Sequence, residues 1–168
     1  MPALHAIGTA VLQRRTEMSL TQEALAQICG LPLSTVVAVE EHSIDNLSLA
    51  ETQKLLEPIG LAMSALIASS KGHGRGPVRT ALERAAATAS TSYRTALSAQ
   101  QLEAALQAGS APTTIAPHLA ALLDEAPMSL LAKVVEELHI GHGLERAHVW
   151  SQMRRIAREL QCFRQVWR

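Results

Sequence analysis

The stretch Leu20-Thr21-Gln22-Glu23-Ala24-Leu25-Ala26-Gln27-Ile28-Cys29-Gly30-Leu31-Pro32-Leu33-Ser34-Thr35-Val36-Val37-Ala38-Val39-Glu40 decides how the chain is read. Thr21 offers a side-chain oxygen to the free N–H groups of a first helical turn. Ala24, Leu25 and Ile28 recur at helical spacing. Gly30 suits the left-handed residue that ends a helix. Val36 and Val39 place an apolar stripe on a second helix that begins near Pro32. Two short helices about a tight turn form a helix-turn-helix, a unit that commonly lays its second helix in a DNA major groove.

Working outward, residues 4–17, 21–29, 32–41, 47–57 and 61–68 read as helices of a first domain, residues 1–68. Pro58 removes a backbone donor and is expected to end or kink the fourth helix near Glu57. Ser69 to Pro77 is a linker by composition, with three Gly, one Pro and no apolar anchor. Residues 78–168 read as a second, helical domain. Apolar spacing predicts a helix over Val78–Ala89. Ser98 and Gln101 form a capping box for a helix that Gly109 closes. Another helix starts at Pro117 and ends at Ala126-Pro127. Met128–His139 follows, then a break at Gly141-His142-Gly143, then a long helix over Leu144–Cys162. The fold class expected is all-α.

Residues 4 to about 67 resemble the Xre/Cro-C1 family of phage-repressor-like DNA-binding domains. The matching pieces are Ile7, Leu12 and Arg14-Arg15, the run Leu20 to Ala26, Gly30, Ser34-Thr35-Val36, Glu40, and Leu49, Leu55-Leu56 and Ile59-Gly60-Leu61. The resemblance implies five short helices around one small core, and a homodimer on a two-fold, double-stranded DNA operator. It pairs the arginine ending the first helix with the glutamate ending the recognition helix, here Arg15 and Glu40, as a structural clasp. It assigns base-facing positions to Leu33, Ser34, Val37 and Ala38, with Thr35 beside them. Gln22 takes a phosphate-contacting position, and His42 and Ser43 lie in the loop that follows the recognition helix.

Several of these positions depart from the family pattern. Direct readout uses bidentate donors and acceptors, yet only Ser34 among the base-facing residues can hydrogen-bond a base edge. Leu33, Val37 and Ala38 are limited to thymine methyls. The following loop carries Glu41 and Asp45 where the family favours Gly, Lys and Arg. Residues 1–70 hold three Lys+Arg against seven Asp+Glu, net −4, while residues 71–168 hold twelve against eight, net +4. Non-specific DNA affinity comes mainly from neutralised phosphates, so the first part lacks the usual electrostatic footprint. Either the basic part supplies it or the first domain binds protein.

That basic part contains one concentrated segment. Arg146, Arg154, Arg155, Arg158, Arg164 and Arg168 accompany Trp150, Phe163 and Trp167. Arg154, Arg155 and Arg158 are candidates for auxiliary phosphate contacts, set against a docked amphipathic helix whose polar side faces water. The aromatic tail either tucks into a core or marks a contact surface.

Other chemistry finds little support. His139, His142 and His148 are near in sequence, but their spacing straddles a glycine-rich turn and matches no metal signature. No metal or cofactor is expected. Asp124-Glu125 and Glu136-Glu137 read as solvated faces rather than an acid/base pair. No phosphate loop, nucleophile elbow or Cys-x-x-Cys occurs, so an enzyme is not expected. Cys29 and Cys162 read as reduced thiols. No apolar run of about 18 residues exists, so no membrane span is expected, and the first residues lack a signal-peptide pattern. A cytoplasmic location fits the family.

Two functions follow as expectations. One is a sequence-specific transcriptional regulator, a repressor that autoregulates its operon. It would use residues 78–168 for dimerisation or partner binding, and in the antitoxin version of this design the partner is a toxin. The other is a protein-binding adaptor whose helix-turn-helix no longer reads DNA.

Overall fold

Local signals set most helix ends. The computed structural model describes residues 2–62 and 79–168. Among them all regular structure is helical, as expected, and no strand occurs. Helix α1 spans Pro2–Glu17, α2 Gln22–Cys29, α3 Leu33–Glu40 and α4 Leu49–Leu56. The hydroxyl of Thr21 accepts from the N–H of Ala24 and caps α2, and Gly30, at φ 63°, ends it. Three residues then turn the chain, and the α2 and α3 axes meet at 118°. Ser48 and Glu51 form a reciprocal capping box on α4. As expected from Pro58, α4 gives way to a 3₁₀ turn over Glu57–Ile59. The helix expected over 61–68 does not begin at Leu61 or Ala62. Its remainder, the linker over 69–77 and Val78 lie outside the described residues.

The following helices are α5 (Ala81–Ala89), α6 (Ala99–Ala108), α7 (Ala116–Glu125), α8 (Met128–His142) and α9 (Arg146–Glu159), ending in a 3₁₀ turn over Gln165–Trp167. Ser98 and Gln101 make the expected capping box, and Gly109 ends α6 at φ 63°. Two expectations are corrected. Helix α8 runs through Gly141 to His142, because only Gly143 takes the left-handed conformation that stops it. An interior glycine costs a helix about 1 kcal/mol, too little to stop the last turn, whose residues Ile140, Gly141 and His142 are exposed and whose His142 ring reaches Glu103 at 2.9 Å. Helix α9 is shorter than expected. It ends at Glu159, and Gln161 takes a positive φ of 56°.

Buried side chains from both parts of the chain join one apolar cluster. Val11, Leu25, Val36, Leu55 and Ile59 contribute from the first part, and Leu102, Leu119, Leu131, Leu138, Met153 and Ile156 from the second. α1 packs on α3 and α9, α5 on α8, and α8 on the 3₁₀ turn after α4. With a single phenylalanine and a single tyrosine in the chain, close approach of backbones replaces bulky aromatic filling.

Gly60 shows how close that approach is. It has φ 71°, and a Cβ there would lie 2.5 Å from the carbonyl oxygen of Met128. Gly30 has nearly the same φ, 63°, but open space around it. A left-handed non-glycine residue costs on the order of 1–3 kcal/mol, and Gly60 adds a backbone clash. Gly30→Ala is expected to lower unfolding free energy by about 1 kcal/mol and Gly60→Ala by about 3 kcal/mol. Urea denaturation of the two variants measures the difference.

Candidate functional site

The site is assembled around one carboxylate. Glu40 closes α3, and its side chain is only 3% exposed. Arg15, in the last turn of α1, meets it with a two-pronged contact, Nε to Oε1 at 2.6 Å and Nη2 to Oε2 at 2.9 Å. Paired parallel bonds of this kind fix orientation as well as distance. The third nitrogen, Nη1, donates to the carbonyl of Leu20 at 2.8 Å. Nε2 of Gln22, at the start of α2, donates to Glu40 Oε2 at 2.8 Å. Three helices and the turn between α1 and α2 therefore converge on Glu40. The hydrogen bond to Glu40 raises the Arg15 pKa above its usual value, with burial opposing it.

The clasp pairs Arg15 with Glu40 as expected, and it also recruits Gln22. That residue was assigned to a phosphate, and it now spends one of its two amide N–H groups inside the protein. On α3, Leu33 and Ser34 are exposed, while Thr35, Val37 and Ala38 are half-buried. His42 has φ 58°, and its ring stacks on His5 of α1 at 3.7 Å between centroids. The Ser43 hydroxyl donates back to the carbonyl of Ala38 at 3.4 Å. Both loop residues thus have intramolecular contacts, although both remain exposed.

The surrounding charge is acidic. Glu23, Glu41 and Asp45 are all exposed. The Glu23 carboxylate is held below the usual range by its own backbone N–H and then by the Thr21 hydroxyl. It therefore occupies the anion-favouring end of α2.

Arg154, Arg155 and Arg158 of α9 have different surroundings. Arg154 faces the protein, not solvent. Its Nη2 donates to the carbonyl of Met18 and its Nη1 to that of Ser19, at 3.4 Å for the latter. Burial, then the nearby Arg158, push its pKa below the usual arginine value. Arg154 thus caps the end of α1, where cations are favoured. Arg158 is exposed and its Nη2 donates to the carbonyl of Arg168 at 3.2 Å. Arg155 is exposed. Arg14 adds a second tie, its guanidinium 5.7 Å from the centre of the Trp150 ring.

Several acidic residues read as solvated faces are engaged instead. Glu137 Oε2 accepts from the N–H groups of Ala81 and Leu82 at 2.5 and 3.2 Å, and so caps α5. Glu136 holds Arg146 through two contacts of 2.7 Å each. Asp124 Oδ1 accepts from the backbone N–H groups of Phe163 and Arg164. Partners at these separations leave no local trace in sequence. The tail divides: the Trp167 indole is buried and donates to the carbonyl of Leu123, while Phe163 is 80% exposed.

The histidines find separate partners. His139 pairs with the carbonyl of Leu144, His142 with Glu103 and His148 with Gln152. Among the described residues no three His, Cys, Asp or Glu side chains are placed to hold a metal ion. No single helix among them is long and apolar enough to cross a membrane. Cys29 and Cys162 are both free and buried, and burial pushes each thiol up to about 11.

Two predictions follow from these environments. Arg15→Ala strands a buried carboxylate and is expected to cost about 3–5 kcal/mol, whereas the double change Arg15→Met with Glu40→Met recovers most of that loss. Chemical denaturation of the three proteins measures it. For the cysteines, a folded-state pKa above the unfolded value of about 8.5 favours folding below that pH. Stability is therefore expected to fall as pH rises from about 8.5 towards 11. Cys29→Ala with Cys162→Ala should flatten that limb of the pH profile. Comparison with known proteins returns no family model, no curated protein and no solved structure that matches the chain.

Proposed function

We propose that the protein is a DNA-binding transcriptional regulator with an Xre-like helix-turn-helix over residues 1–68 and a helical partner-binding part over residues 78–168. The observation that carries this reading is the clasp. Arg15, Gln22 and Glu40 lock α3 at a defined angle to α1 and α2, the rigidity a recognition helix needs to dock in a major groove. Leu33 and Ser34 at the start of α3 would meet base edges, with Thr35, Val37 and Ala38 behind them. Because Arg154 anchors α9 beside the α1–α2 turn, Arg155 and Arg158 supply cations next to an otherwise acidic domain. The operon that encodes the protein is the natural target, and an antitoxin role would assign residues 78–168 to a toxin.

A specific observation favours a second reading, a protein-binding adaptor. Glu23 fills the anion position of α2 and is joined by exposed Glu41 and Asp45, while Leu33 is 41% exposed. An apolar residue in an acidic surround suits a basic protein partner better than a phosphate backbone.

Fluorescence anisotropy separates the two. The probe is DNA from immediately upstream of the coding region, with a scrambled duplex as competitor, at two salt concentrations. The regulator is expected to prefer the upstream duplex and to lose that preference in Leu33→Glu and Val37→Glu. Arg155→Gln and Arg158→Gln should each reduce the salt slope by about one. Equal binding of both duplexes at both salts overturns binding to the upstream region and favours the adaptor.

A further inference from the structure

A cleft of about 420 Å³ opens where the end of α4 and Pro58 face the start of α8 and the C-terminal turn. That volume suits a small organic molecule. Ile28, Pro58, Met128 and Val166 give it apolar walls, and Lys54 and Arg164 bring two cations to it. The walls come from both parts of the chain, a common setting for ligand sites.

Arg164 is the unusual member. Its backbone is fixed, because Asp124 Oδ1 accepts from its N–H at 3.1 Å and from that of Phe163 at 2.9 Å. Its guanidinium is half-buried, and its side-chain contact is with the Met128 sulfur, 3.3 Å from Nη1. A thioether is a weak acceptor. Among the described residues no carboxylate lies within 4.0 Å of this guanidinium. Burial pushes the Arg164 pKa below its usual value, with Asp124 opposing. A half-buried guanidinium whose protein partner is a weak acceptor keeps donors free for a better one. An incoming anion would supply that acceptor. Glu57 also lines the cleft, so the lining residues carry two cations and one carboxylate, with the Asp124 carboxylate outside the lining and beside the Arg164 backbone.

We propose that this cleft binds a small organic monocarboxylate, with the carboxylate on Arg164 and Lys54 and an apolar body against Ile28, Pro58, Met128 and Val166. The site is independent of whether α3 reads DNA.

The test is a titration of the full chain, carrying ¹³C at the methionine methyls, with 4-phenylbutyrate. 4-Phenylbutan-1-ol and inorganic phosphate serve as the uncharged and the bare-anion counterparts. Met128→Leu assigns the Met128 methyl resonance. That resonance is expected to move saturably with phenylbutyrate, and both counterparts should bind at least about tenfold more weakly, the alcohol for want of a charged hydrogen bond and phosphate for want of apolar burial. Arg164→Gln should abolish the response. Lys54→Gln, at an exposed position that does not endanger folding, should weaken it severalfold. A Met128 resonance that never moves overturns the proposal. Equal binding of the alcohol overturns the anion site, equal binding of phosphate overturns the apolar contribution, and an undiminished response in both charge variants overturns the location.

Discussion

Everything in the first part of the chain is organised by a carboxylate removed from water. An isolated buried carboxylate is expensive, and the fold tolerates Glu40 only because three N–H donors from two other helices reach it at 2.6–2.9 Å. The geometry runs both ways. The donors make the burial affordable, and the need for those donors fixes where α1 and α2 lie relative to α3. Apolar packing of Val11, Leu25 and Val36 brings the helices together without dictating their rotation. The two-pronged guanidinium contact supplies the orientation. Replacing both partners of a buried ion pair with apolar side chains is often neutral or stabilising, whereas removing one partner is costly.

A second set of polar contacts ties the remainder of the chain to that unit. Arg154 on α9 satisfies carbonyls at the end of α1, Arg14 on α1 lies against Trp150 on α9, and Gly60 allows the chain to graze the start of α8. The last turn of α1 therefore carries Arg15 towards Glu40 on one side and accepts Arg154 on another. A change in the seating of α9 is felt within a few residues of the clasp. The cleft lined by Lys54 and Arg164 lies on the same seam between the two parts.

What could be read from the sequence was mostly what is settled within a few residues. Thr21, Gly30, Ser98, Gln101, Gly109 and Pro58 act through hydrogen bonds or dihedral limits spanning a turn or less, and each does what its residue type predicts. The Arg15–Glu40 pairing was reached through the resemblance, since 25 residues separate the partners. Arg154, Asp124 and Glu137 were not legible. Each answers to backbone groups 39 to 136 residues away, and a charged residue facing distant carbonyls looks, in sequence, like one facing water. The same limit left Arg154 open in sequence between a phosphate contact and a docked helix. Gly141 misled for another reason: a glycine inside a helix costs only about 1 kcal/mol, and the left-handed conformation that ends α8 falls at Gly143 instead.

The Arg154 contact also has a temporal side. Arg154 follows Ser19 by 135 residues. At about 5–20 residues per second, synthesis separates the two by roughly 7–27 s. During that interval the carbonyls at the end of α1 have only water, while Arg15, Gln22 and Glu40 are already available to one another. The three clasp residues are thus synthesised well before the last helix, and the order of translation leaves the end of α1 without its cap until α9 has been made.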